Sequence, residues 1–183
     1  MTAEKQQQVD SMLREVLGEG SIRLQVAGHA LEEDLVAGTS RVRMTLVAPH
    51  SGHEREIEGK GVGLVDAAFD ALVRMLVTEY PSLKHIRFAS FSLSGEVGTG
   101  ERRSQTDAGT TARLEVVNQV GRTFVFTDSS RSVAASSVQV TLSAVEYFVN
   151  SERAFFRVRS FLDEAMAKGR HDLAQRYTQM LTQ

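Results

Sequence analysis

One alternating stretch occurs twice, and that recurrence constrains the fold more than any other feature. Val42-Arg43-Met44-Thr45-Leu46-Val47 places apolar residues at every second position, and Ala112-Arg113-Leu114-Glu115-Val116-Val117 does the same 70 residues on. Period-two alternation marks a half-buried strand with one polar face. The neighbours recur in the same order. Ile22-Arg23-Leu24-Gln25-Val26 alternates ahead of the first stretch, and Ile86-Arg87-Phe88 resembles it ahead of the second. Arg55–Glu58 follows the first, and Thr123–Phe126 follows the second. A helix closes each series. Val65, Phe69, Leu72 and Leu76, at spacings of 4, 3 and 4, line one face over residues 63–79, with Pro81 just beyond. Val138, Leu142 and Val145 do so over 131–149. The reading is an α+β fold of two βββα units, 20–80 and 84–150, related by a pseudo-two-fold axis.

Helical extensions flank this core. Residues 1–19 carry Val9, Met12, Leu13 and Val16 on one side. Residues 151–183 begin at Ser151, which has the chemistry of an N-cap, break at Gly169, and resume with Leu173, Tyr177 and Leu181 at intervals of four. Loops are expected at 28–39, 48–54 and 94–109. A chain of 183 residues can bury a core without staples, and it is too short for a complete (β/α)8 barrel of about 250 residues. The absence of Cys excludes disulfides, thiolate zinc sites and cysteine nucleophiles. With 21 basic and 23 acidic residues the net charge is -2, so no basic field points to nucleic acid. The N-terminus lacks the basic and apolar regions of a signal peptide, and no apolar run approaches the ~20 residues of a membrane span. A cytoplasmic protein is expected.

The stretch Gly61-Val62-Gly63-Leu64-Val65-Asp66-Ala67-Ala68-Phe69-Asp70-Ala71-Leu72 resembles the Gly-x-Gly-Pro-Val-Asp-Ala-x-x-x-Ala-Leu signature of the C-terminal allosteric, or dimerisation, domain shared by alpha-isopropylmalate synthase and citramalate synthase. Thr106-Asp107-Ala108 is similar to that family's Thr-Asp-Ala before its fifth strand, and Ser137, Leu142, Ala144 and Val145 fall on the pattern of its last helix. The resemblance covers about residues 20–150. It implies two βββα units about a pseudo-two-fold axis, a homodimer, and leucine or isoleucine as a regulatory ligand. It also implies control of a synthase barrel, which is expected either on a separate polypeptide or on a longer chain of which this sequence is a part. The chain is therefore expected not to be an enzyme by itself and to need no cofactor. The sequence departs from the family at Leu64, where the family has Pro, and at Thr127-Asp128-Ser129-Ser130-Arg131-Ser132, which lacks its glycines and has Ser132 in place of an acidic residue. A domain that keeps the fold as a ligand-free dimerisation scaffold is the alternative.

The first N–H groups of a helix lack internal partners and sit at the positive end of its dipole, so a carboxylate suits them. Gly61, Gly63 and Leu64 are the candidates for that contact; the glycines equally suit a tight strand-to-helix turn. Val65, Ala67 and Ala68 are candidates to line an apolar pocket, and Asp128 to meet an ammonium group. His50-Ser51-Gly52-His53-Glu54 has the composition of a metal site but reads as a polar turn, lacking a third fixed ligand. Asp66 and Asp70 read as solvated, and Asp70 with Arg74 as an i,i+4 pair. The serines of 129–143 suit capping and helix packing. Arg23, Arg43, Arg87 and Arg113 read as an outer, solvated sheet face.

Overall fold

The computed structural model describes residues 3–47, 52–95 and 109–182. Along the chain it has α1 (Ala3–Leu17), β1 (Gln25–Asp34), β2 (Thr39–Val47), β3 (Glu54–Gly61), α2 (Leu64–Leu76), a 3-10 turn (Pro81–His85), β4 (Arg87–Gly95), β5 (Thr110–Val117), β6 (Thr123–Ser130), α3 (Val133–Ala167) and α4 (His171–Leu181). This is an α+β protein. Its strands form two antiparallel three-stranded sheets, β1-β2-β3 and β4-β5-β6. Contacts divide the chain into two compact units: Arg23–Glu146 holds both sheets, and the residues up to Ile22 join those from Tyr147 onward in the other. No helix among the described residues is long and apolar enough to cross a membrane.

In the sheet-bearing unit, the two central strands alternate as the sequence predicts. Val42, Met44 and Leu46 of β2 are buried, as are Ala112, Leu114 and Val116 of β5. α2 turns Ala67, Ala68, Ala71, Leu72 and Leu76 inward. The rings of Phe69 on α2 and Phe88 on β4 lie 4.5 Å apart, which joins the two halves of the core. The first part of α3 is buried on nearly all sides, through Ser136, Thr141, Leu142 and Val145 among others, as befits a helix inside a core. The sheets share a detail of register. β1 is bulged against β2 between Val26 and Gly28, and β4 against β5 between Phe88 and Ser90.

Several expected boundaries move. β1 runs to Asp34 and β4 to Gly95, through residues expected to be loop. Both are edge strands exposed along most of their length, so they lack the one-sided apolar pattern that marks a half-buried strand. Residues 48–51 and 96–108 lie outside the described residues, and with them His50, Ser51, Thr106, Asp107, Ala108 and most of the loop expected at 94–109. The segment from Ser151 does not start a new helix. α3 continues through it, and the Ser151 hydroxyl donates to the Tyr147 carbonyl 2.7 Å away, one turn back, instead of capping. Gly169 does break the helix, with φ at 66°. In the helical unit Leu13 and Val16 of α1 are buried, Glu15 pairs with Arg176, and the Phe161 and Tyr177 rings stand 5.6 Å apart.

Candidate functional site

The glycines ahead of α2 let strand and helix touch. A Cβ on Gly59 would stand 2.8 Å from the Ala71 methyl carbon and nearer still to the α2 backbone; one on Gly61 would stand 2.6 Å from the Ala67 nitrogen. Only glycine allows β3 this close. The two aspartates finish the seam. Asp70 Oδ2 accepts the Lys60 N–H at 2.9 Å, and Asp66 Oδ2 accepts the Val62 N–H at 3.1 Å. Edge amides that no strand pairs are thereby satisfied. Asp66 is exposed, but it is not merely solvated, and Asp70 also holds Arg74 at 2.9 Å as the spacing predicts. Gly63 is the N-cap, its carbonyl accepting from Ala67 at 2.9 Å. Ala67 and Ala68 are fully covered by protein, Leu64 and Val65 half-buried.

Beside Gly61 lies an open groove of about 810 Å³, between the far end of the β1–β2 hairpin and the end of β3. Register builds it. Ser40 of β2 faces Gly61 of β3 and Glu33 of β1, and the buried Ser40 donates its hydroxyl to Glu33 Oε1 at 3.0 Å. Asp34 Oδ1 accepts the N–H groups of Val36 and Ala37, which fixes the hairpin turn. Lys60 lines the groove, and no described carboxylate pairs with its ammonium. Arg41 is engaged by Glu32 at 3.7 Å and Glu58 at 3.3 Å. Val62 and Leu35, 80% and 88% exposed, supply apolar walls. The groove thus offers a cation, carboxylates and apolar surface within one open space. Of the residues expected to bind ligand, Gly61 lines it; Gly63, Leu64, Val65, Ala67, Ala68 and Asp128 do not.

The second strand-to-helix connection solves the same problem differently. Gly59 and Gly61 face Val42 and Ser40; at the matching stations of the other sheet, Asp128 and Ser130 face Ala112 and Thr110. Hydroxyls replace the glycine contact. The Ser132 N–H donates to Ser130 Oγ at 3.1 Å, Ser130 Oγ lies 2.8 Å from Ser136 Oγ, and Ser136 Oγ donates to the Thr110 carbonyl at 3.1 Å. Ser132 Oγ accepts the Ala135 N–H at 3.2 Å and caps α3. The Asp128 carboxyl is partly buried, and burial raises its pKa above the ordinary aspartate value.

The arginine rows do not make a basic face. Arg43 pairs with Glu56 at 2.7 Å and Glu58 at 3.8 Å, and Arg113 pairs with Glu115. Hydrogen bonds from Arg113 and Ser90 hold the Glu115 carboxyl below the usual glutamate range. His53 is exposed, and no described group of three or more His, Asp or Glu side chains has the geometry of a metal site. Glu33, Ser40 and Lys60 escape a reading of local motifs. The signal that could have found them is the pairing of β1, β2 and β3, which sets Ser40 between Glu33 and Gly61. No family model matches the chain, and no curated protein matches it.

Proposed function

We propose that this chain is a cytoplasmic, non-catalytic regulatory module of the kind found at the C-terminus of alpha-isopropylmalate synthase and citramalate synthase. In this reading it is a homodimer that binds leucine or isoleucine and controls a separate synthase chain. The observation that carries the reading is the groove beside Gly61. A free amino acid is a zwitterion with an apolar tail, and Lys60, Glu33 and Val62 supply one partner for each part. The pseudo-two-fold relation of two βββα units is supported by the bulges at Val26/Gly28 and Phe88/Ser90, which are separated by the same 62 residues at both of their ends. Regulation would follow from linkage: a ligand that favours one arrangement of the dimer shifts its population in proportion to the difference in affinity.

The full chain, titrated with leucine, isoleucine, valine and their 2-keto acids, tests this by thermal unfolding. A ligand at 100 times its dissociation constant adds about 2.7 kcal/mol, a plainly visible shift. One selective amino acid is the expected result, and Lys60→Met removes its effect. Flat curves for the whole panel would overturn the reading. They would favour the second one, a dimerising scaffold without ligand. The covered methyls of Ala67 and Ala68, and Asp128 in place of a glycine, are the observations on that side.

A further inference from the structure

Among the described residues each three-stranded sheet has two edges that no strand pairs, and a bare edge is a template for pairing. The four edges here are dressed differently. β3 has its Lys60 and Val62 amides taken by Asp70 and Asp66. β1 carries the charged run Glu32-Glu33-Asp34 at its end. β6 buries Phe124 and Phe126 and carries Asp128. β4 is the exception. Its sequence, Arg87-Phe88-Ala89-Ser90-Phe91-Ser92-Leu93-Ser94-Gly95, has no charge after Arg87 and no proline, and residues 89–95 are all exposed. Phe91 and Leu93 pair with Leu114 and Ala112, both fully buried, yet they are 39% and 44% exposed. The apolar face of this sheet is therefore uncovered at the β4 edge.

We infer that β4 is the strand on which a second copy of the chain adds, antiparallel and across a two-fold axis, fusing two three-stranded sheets into one of six. The occupant follows from self-complementarity. An antiparallel two-fold pairing centred on Ser92 sets Ser92 against its own copy, Phe91 against Leu93 and Ser90 against Ser94. No charge beyond Arg87 lies in that overlap: serines would meet serines outside, and Phe91 and Leu93 of each copy would extend the other's apolar face. A strand whose unpaired backbone and half-covered apolar side chains coincide gains on both counts by pairing with its own image.

The inference rests on the homodimer of the proposed function and is independent of its ligand. Light scattering on the full chain should give twice 20.1 kDa at micromolar concentration. Ser92→Glu is the test variant, because Arg113 stands opposite Ser92 in the same sheet and offers the new carboxylate a cation within its own chain. The variant should keep the wild-type circular dichroism and melting temperature in the monomer while its dimer dissociation constant rises at least about tenfold, as like charges are brought together. Ala30→Glu on β1 should leave the dimer unchanged. Amide exchange in β4 should slow with wild-type concentration and lose that dependence in Ser92→Glu. A monomeric wild type ends both the homodimer and the strand pairing. A dimer that survives Ser92→Glu ends the strand pairing alone. Concentration-independent protection of β4 would assign its cover to the same chain and overturn the inference as well.

Discussion

At the scale of residues, three positions sit under stated constraints. Gly59 has no space for a methyl group, its neighbours being the α2 backbone and Ala71. Gly59→Ala should cost about 1–3 kcal/mol, the usual range for overpacking, read as a lower denaturation midpoint with an unchanged slope; a neutral result would mean that β3 and α2 separate freely. Glu146 is the second case. Its Oε1 accepts the Leu24 N–H, and burial raises its pKa against the opposing effects of that bond and of Arg23. The folded protein then keeps a proton that the unfolded chain has lost. The contribution of Glu146 to stability therefore falls as pH rises above about 4.3, the unfolded glutamate value, and levels off above the folded pKa. Glu146→Gln keeps the acceptor and removes the charge. It should melt higher than wild type at pH 7, match it at low pH, and flatten the decline between. A lower melting temperature at pH 7 would show that attraction to Arg23 outweighs burial. Asp128 has the same sign of shift, caused by burial. Asp128→Asn should raise stability at neutral pH and, because Asp128 does not line the groove, leave the amino-acid response intact. A lost response would place the ligand elsewhere than beside Gly61.

At the scale of elements, α3 shows how a helix can stand in for a strand. Within the helical unit, Asn150 accepts the Ile22 N–H at 2.8 Å and donates to the Ile22 carbonyl at 2.9 Å. Its amide copies the two-way bonding of a ladder partner. Asn150→Ala should cost about 1–3 kcal/mol, because a backbone donor loses its partner in a part-buried place. Ser151→Ala, one residue on, should be nearly neutral, since Ser151 only bonds back to the preceding turn. The pair separates a real anchor from an apparent cap, and equal losses would refute the assignment. The same elements show what local sequence can carry. β2 and β5 are legible because each is central and buries alternate residues. The ends of β1 and β4 are not, because an exposed edge strand shows no contrast between its faces. Ser151-Glu152-Arg153 has the composition of a helix start, and only the uninterrupted burial of Val149, Ala154 and Val158 shows α3 running on. Gly61 is legible from the motif, whereas the groove depends on Ser40 and Glu33, placed beside it by strand register alone.

At the scale of the whole molecule, ligand and dimer cannot be independent if the chain regulates anything. A groove of either charge sign binds an amino acid whether or not it transmits, and transmission requires that occupancy change an equilibrium the partner feels. The equilibrium that the proposal supplies for the chain in isolation is dimerisation. Linkage then fixes a quantitative relation: with one groove per chain, the factor by which saturating leucine or isoleucine changes the dimer dissociation constant must equal the square of the factor by which dimerisation changes the affinity per site. Couplings of this kind are commonly about 5–150-fold. The dimer constant, measured by dilution with and without saturating amino acid, should move by such a factor. Ligand affinity measured in Ser92→Glu, at a concentration where it is monomeric, should differ from wild type by the square root of that factor and in the direction the first measurement dictates. Lys60→Met should lose the ligand-induced change while keeping the dimer constant of the unliganded protein, since Lys60 lies in the groove and not on β4. Binding with an unmoved dimer constant would leave a ligand site without a switch. The regulatory part of the proposal would then fail even though the groove was correctly read.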